Sequence, residues 1–170
     1  PKNPAEADFT GREDLRSLSF ETIDGADVKD FDDAVYVEET SSGFRLLVAI
    51  ADVSHYVPEG SPLDREALRR GNSWYFPRSV EPMLPHALSN GLCSLNPHVP
   101  RLVMTAELHI SPAGAVGRTA FYPAVIQSAA RLTYDRVRDG LLLDKPTPDA
   151  LPEAVTPMLR SALAFARLLA

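Results

Sequence analysis

The sequence predicts an α+β domain in which β-hairpins display an acidic loop and helices pack around them. Three observations carry that prediction. Two stretches read as strand, turn, strand; one segment has a full set of helix start and stop signals; and the chain closes on an amphipathic helical pattern. At 170 residues and 45% hydrophobic, the chain is long enough for one ordinary domain with its own core.

In chain order, "RSLSFETID" reads as a strand that enters the acidic segment "DGADVKDFDD". "DAVYVEETSSGFRLLVAIAD" reads as two β-rich runs joined by the turn-forming "TSSG". "SPLDREALRRG" is a helix, with Ser61 as N-cap, Pro62 at its first position, Asp64 where a capping box places an acid, and Gly71 as the stop. "WYFPRSVEPMLPHALSNGLCSLNPHVP" is dense in Pro, Asn, Ser and Gly, which predicts an irregular segment of the kind that carries function. "RLVMTAELHI" and "VGRTAFYPAVIQSAAR", separated by "SPAG", form a second expected hairpin. A short helix over "TYDRVRDGLL" with Thr133 as its cap, a Pro-rich connector "DKPTPDALPEA" and a helix over "TPMLRSALAFARLLA" complete the reading. That last helix runs to the final residue without a stop signal, so the chain is expected to be an incomplete domain. The apolar face formed by Leu159, Leu163, Phe165 and Leu169 is expected to lie exposed, awaiting a missing partner segment.

Composition narrows the function classes. No apolar run reaches the ~20 residues of a membrane span, and "PKNPAEAD" has neither the basic start nor the apolar stretch of a signal peptide, so no membrane partner is expected. The single Cys93 can form neither an internal disulfide nor a cysteine zinc site; it reads as a small buried apolar residue and fits a reducing, cytoplasmic setting. The net charge of −6 argues against a nucleic-acid binder at first sight. Five of the acids and only one lysine, however, fall within the acidic segment, which leaves −2 for the rest of the chain. Any basic track for a phosphate-bearing partner is therefore local.

Asp24, Asp27, Asp30, Asp32 and Asp33 crowd five carboxylates into ten residues, where like charges repel and raise one another's pKa values. On a loop between strands they can converge on a point, whereas a helix would scatter them; in an extended segment Asp30 and Asp32 share a side. Hard oxygen ligands of this kind suit Mg²⁺, Mn²⁺ or Ca²⁺ rather than zinc. The EF-hand pattern fails at Ala26, Lys29 or Ala34, depending on where it is started. From spacing alone a cation cage and a solvated acidic loop stand level.

"TIDGADVKDFDDAV", then "VAIADVSHYV", "SPLDREALRRG", "SWYFP" and "PMLPHALSNGLCSLNP" in that order, resemble the catalytic RNB domain of the RNase II/RNase R family of 3′→5′ exoribonucleases, on the RNase R side. The resemblance spans roughly positions 13 to 127 and makes residues 1–170 the N-terminal portion of such a domain. It implies Mg²⁺, or Mn²⁺, held by Asp24, Asp30, Asp32 and Asp33, with Asp32 the aspartate most critical to catalysis and Asp27 not a ligand. It implies a partner in single-stranded RNA, not DNA, whose terminal bases stack on Tyr75, while Trp74 and Phe76 are assigned to packing. Arg69, Arg70, Arg78 and Arg101 are each open to phosphate contact or to ion pairing. His55, His86, His98 and His109 show no metal-ligand spacing and read as structural or solvent-facing.

The implied activity is Mg²⁺-dependent hydrolysis of single-stranded RNA from its 3′ end, with release of 5′-nucleotides. The sequence departs from the family in lacking its "HFTSPIRRY"-like segment, whose arginine faces the scissile phosphate, and the flanking OB-fold RNA-binding domains. The rest of the same polypeptide is therefore an expected partner. The rival readings are a non-catalytic RNB-type RNA-binding or regulatory module, and a structural domain with an acidic loop.

Overall fold

Short turns join most of the strands, so antiparallel pairing dominates the sheet. The computed structural model describes residues 3–143 and 151–170. β1 (Glu13–Asp14) and β2 (Glu21–Asp24) precede the acidic segment, and β3 (Asp33–Thr40) and β4 (Gly43–Ala51) form the first expected hairpin. Gly43 has φ +126°, and a Cβ there would stand 2.0 Å from the Ile110 carbonyl oxygen. Only glycine combines that conformation with so close an approach of the next strand.

α1 (Val53–Tyr56) is capped by Asp52. α2 (Pro62–Arg70) begins and ends where its signals place it: Ser61 Oγ accepts from the Asp64 N–H at 3.1 Å, and the Gly71 N–H donates to the Ala67 carbonyl at 2.9 Å. The expected capping box is displaced by one residue, because the Asp64 carboxylate accepts from the N–H of Gly60 rather than from that of Ser61.

The stretch expected to be irregular is better ordered than its composition suggests. It holds a second, two-stranded sheet of β5 (Trp74–Phe76) and β6 (Ser79–Glu81), then a π-type turn over Ala87–Leu92 in which the Cys93 N–H donates to the Leu88 carbonyl. Three-residue strands are too short to show a periodicity. β7 (Pro100–Ile110) and β8 (Val116–Gln127) form the expected hairpin, and β9 (Ala130–Thr133) follows as a separate strand. α3 (Tyr134–Val137) is capped by Thr133 and runs into a π-type turn over Arg138–Leu142. The Pro-rich connector lies outside the described residues over 144–150, and α4 (Thr156–Leu169) closes the chain.

The main sheet has the order β1-β8-β7-β4-β3-β2-β9. β2 pairs with its neighbour β3 antiparallel and with the distant β9 parallel, which sets Thr22 opposite Arg131 and Asp24 opposite Thr133. Each face of the sheet has its own core. One is built from Phe20, Phe31, Leu47, Leu95, Val103 and Ile126, with Cys93 buried among them as expected. The other lies under α4, where Met158, Leu159 and Phe165 pack with Val37, Ile110 and Leu132.

That second core corrects the reading of α4. Leu159 is 1% and Phe165 9% exposed, Leu163 is partly buried, and the Phe165 ring lies 5.4 Å from that of Phe44; of the four residues only Leu169 is open to solvent. The helix already has its partner, the sheet itself.

Glu21 on β2 is fully buried, and neither carboxylate oxygen has a hydrogen-bond partner among the described residues. Burial pushes its pKa from 4.5 up to about 8. The folded chain therefore holds a proton between pH ~4.5 and ~8 that the unfolded chain releases. This contribution is complete below the unfolded pKa and is lost as pH rises to the folded one. We expect stability to fall by up to ~1.4 kcal/mol per pH unit across that window. Glu21→Gln should flatten the slope, as read from denaturant midpoints at pH 5, 6.5 and 8; identical slopes for the two proteins would show that Glu21 does not titrate in this way.

Candidate functional site

The acidic loop leaves β2 at Asp24 and re-enters the sheet at Asp33. Its backbone is held by groups from remote parts of the chain. Arg131 lies over the Phe31 ring at 5.1 Å, and its Nη2 donates to the carbonyls of Gly25 (3.3 Å), Ala26 (2.5 Å) and Val28 (3.3 Å). Ser94 Oγ donates to the Lys29 carbonyl at 3.0 Å and accepts from the Phe31 N–H at 3.1 Å, and the Leu95 N–H donates to the Phe31 carbonyl at 2.8 Å. The Asp32 carbonyl accepts from the Ala51 N–H at 2.9 Å. Phe31 is thus drawn into the core, with Asp30 and Asp32 left on either side of it at the surface.

The aspartates feel one another. Asp32 has a raised pKa, from desolvation first and then from the charges of Asp30, Asp33 and Asp24. Because the Asp32 side chain meets solvent, the charges of its neighbours are the firmer of these causes. Asp24 is raised by burial and by Asp33 and Asp30, against the opposing charge of Arg131. Among the described residues no three acidic, histidine or cysteine side chains already stand close enough together to hold a metal ion. The donor set nonetheless has the right chemistry for a hard divalent cation: oxygen only, mutually repelling, and fixed at the backbone.

Opposite the loop stands the β5–β6 hairpin. Tyr75 is 67% exposed, and its hydroxyl donates to Asp30 Oδ2 at 3.0 Å, so the ring and the acidic loop share one cleft. That bond, first, and burial, second, raise the Tyr75 pKa. The assignment of Trp74 and Phe76 to packing does not hold, since they are 59% and 52% exposed and belong to neither core. A two-stranded sheet has no second layer here to bury them.

Three of the four arginines are engaged away from the loop's side chains. Arg69 and Arg70 pair with Glu66, and buried Arg101 donates to the carbonyls of Ser94 (2.8 Å) and Gly91 (3.1 Å), which makes it a staple of the turn behind the loop. Of the histidines, His55 lies 3.7 Å from Asp8 and His109 3.0 Å from Glu107, neither partner belonging to the acidic loop. Two positioning residues escaped the sequence reading. Ser94 stood in a quoted motif without a role, and Arg131 reaches the loop only through the β2–β9 pairing, which local sequence does not announce.

A family model described as "RNB domain" matches residues 12–170. Ribonuclease R of Acidithiobacillus ferrooxidans is 61% identical over 127 residues, covering 75% of this chain and 29% of that protein. Ribonuclease R of Thermotoga maritima is 46% identical over 170 residues, 99% of this chain and 24% of that protein. Mycoplasma genitalium RNase R superimposes at 38% identity over 99% of this chain, with a TM-score of 0.92 in its complex with double-stranded RNA and 0.91 with ribose-methylated single-stranded RNA, where the chain covers 30% and 26% of those structures. The chain thus spans less than a third of the length of these relatives.

Removing the Arg131 guanidinium leaves three loop carbonyls without their charged donor. Arg131→Ala should lower stability by ~1.5–3 kcal/mol and speed amide exchange at residues 25–28 selectively. Unchanged exchange there would show that the loop is held by other means.

Proposed function

This chain belongs to the RNB domain family, and from that premise we propose that it forms the aspartate-bearing half of a 3′→5′ exoribonuclease site acting on single-stranded RNA. The observation that carries the reading is the exposed Tyr75 ring tied to Asp30, one of four aspartates on the same loop whose charges act on one another. Ring and carboxylates match the two parts of a nucleotide terminus, a base to stack and a phosphodiester to cleave.

In this reading Asp24, Asp30, Asp32 and Asp33 hold Mg²⁺, for which Mn²⁺ can substitute, and residues 1–170 are the N-terminal portion of the catalytic domain. The bound metal supplies activation of a water and stabilisation of the departing oxygen. Asp32 positions the reacting end, supported by the pinned backbone on both sides of it. Tyr75 stacks a base near the 3′ end, and its bond to Asp30 holds the exposed ring beside the acidic loop. Positioning of this kind can supply ~7–11 kcal/mol of barrier reduction.

Hydrolysis of single-stranded RNA by the complete gene product should stop in EDTA and return with Mg²⁺ or Mn²⁺. Undiminished cleavage in EDTA would exclude the metal, whereas RNA binding with no cleavage under any metal would favour the non-catalytic module. Asp32→Asn should abolish cleavage while RNA affinity is kept or rises, because one negative charge near the phosphates is lost; a parallel loss of affinity would contradict its role. Tyr75→Ala should weaken the hold on terminal nucleotides by ~1–3 kcal/mol and lengthen the end product, with Tyr75→Phe mild. Unfolding of Tyr75→Ala with unchanged products would assign the ring to packing.

A further inference from the structure

The cleft between the acidic loop and the β5–β6 hairpin encloses about 690 Å³ and is lined by residues 25–30 on one side and 75–80 on the other, together with His86, Ser89 and Asn90. Its walls carry two carboxylates, Asp27 and Asp30, and two permanent cations, Lys29 and Arg78. Both cations are exposed at the surface of the chain. The arginines nearest the loop are engaged: Arg69 and Arg70 are taken by Glu66, and Arg101 and Arg131 by backbone carbonyls, whereas Arg118, Arg160 and Arg167, away from the cleft, are like Arg78 without a partner among the described residues. The Arg78 guanidinium and the Lys29 ammonium make no hydrogen bond or ion pair among the described residues, although Asp27 and Asp30 line the same cleft.

Two cations left without a partner beside an exposed aromatic ring match the phosphate and the base of one strand. Without them the cleft would meet an incoming phosphate with carboxylates alone, and like charges repel it. We propose that Arg78 and Lys29 form a subsite for a backbone phosphate of single-stranded RNA, one that guides the strand past Tyr75 toward the aspartates. The subsite rests on the exoribonuclease reading of the cleft and adds to it the residues that hold the strand. It also accounts for how a chain of net charge −6 could engage a polyanion: the positive charge is local to this cleft, one cation on each wall.

The test measures binding of a 5′-labelled oligoadenylate by the complete gene product in EDTA, at KCl concentrations from 50 to 300 mM. Each contact to a single-strand phosphate adds ~0.7 to the slope of log affinity against log salt. Arg78→Ala should lower that slope by ~0.7 and Arg78→Ala with Lys29→Ala by ~1.4, whereas Arg78→Lys should restore most of it. A merely structural role would change affinity without changing the slope. Equal slopes for all variants, with RNA hydrolysis intact in the parent, would overturn the subsite and leave the exoribonuclease reading standing. A parent that neither binds nor hydrolyses RNA would overturn both.

Discussion

A loop that gathers five carboxylates opposes its own conformation, so something outside it must fix its course. Here the fixing is done through the backbone. Arg131 collects three successive-turn carbonyls, Ser94 clamps the peptide groups on both sides of Asp30, and Phe31 is sunk in the core between the two surface aspartates. None of these contacts neutralises an aspartate side chain by a direct ion pair; of the loop's carboxylate oxygens, only Asp30 Oδ2 is engaged among the described residues, by the Tyr75 hydroxyl. Had the carboxylates themselves been the anchors, their oxygens would be occupied and their mutual field spent on holding the loop.

The sheet order follows from that need. Parallel pairing of β2 with β9 requires a long crossover and delays folding relative to hairpins, yet it is the pairing that brings Arg131 to the loop. Antiparallel pairing of β3 with β4 carries Asp33 into register with Ile50, and the β4–β7 and β7–β8 ladders extend that row to Met104 and Pro123. The aspartate segment is thus tied at one end to a distant strand and at the other to the β3–β4 hairpin, whose row runs on through β7 and β8. Deep burial of the uncompensated Glu21 on the same short β2 shows that the position of this strand is over-determined, since a carboxyl there is tolerated only as the neutral acid at ordinary pH.

What could be read in the sequence was what local chemistry dictates. The hairpins around Gly43 and after Ile110, the Ser61 cap and Gly71 stop of α2, the Thr133 cap of α3 and the burial of Cys93 each follow from a few adjacent residues. The membership in the RNB family was legible because five motifs stand in order. What depended on distant pairing was not legible: the roles of Arg131 and Ser94, the seat of α4 on the sheet, and the exposure of Trp74 and Phe76 on a hairpin too short to display a pattern. The residues proposed as ligands were named from the motif, and the field among Asp24, Asp30, Asp32 and Asp33 is consistent with that grouping without itself assigning a ligand.

The row from Asp33 to Pro123 has a further consequence for the electrostatics of the loop. Paired residues in an antiparallel ladder share a face, so Asp33, Ile50 and Met104 lie side by side on the face that α4 covers only farther along, and Ile50 and Met104 stay open to solvent there. Water over that strip screens Asp33 and softens its repulsion toward Asp24 and Asp32. Any surface that covers the strip removes that water, strengthens the field among the carboxylates and raises the gain from a cation placed between them. In the proposed reading, in which these aspartates hold a divalent cation, cation affinity and burial of this apolar strip are therefore coupled with the same sign: covering the face beside the loop should tighten binding.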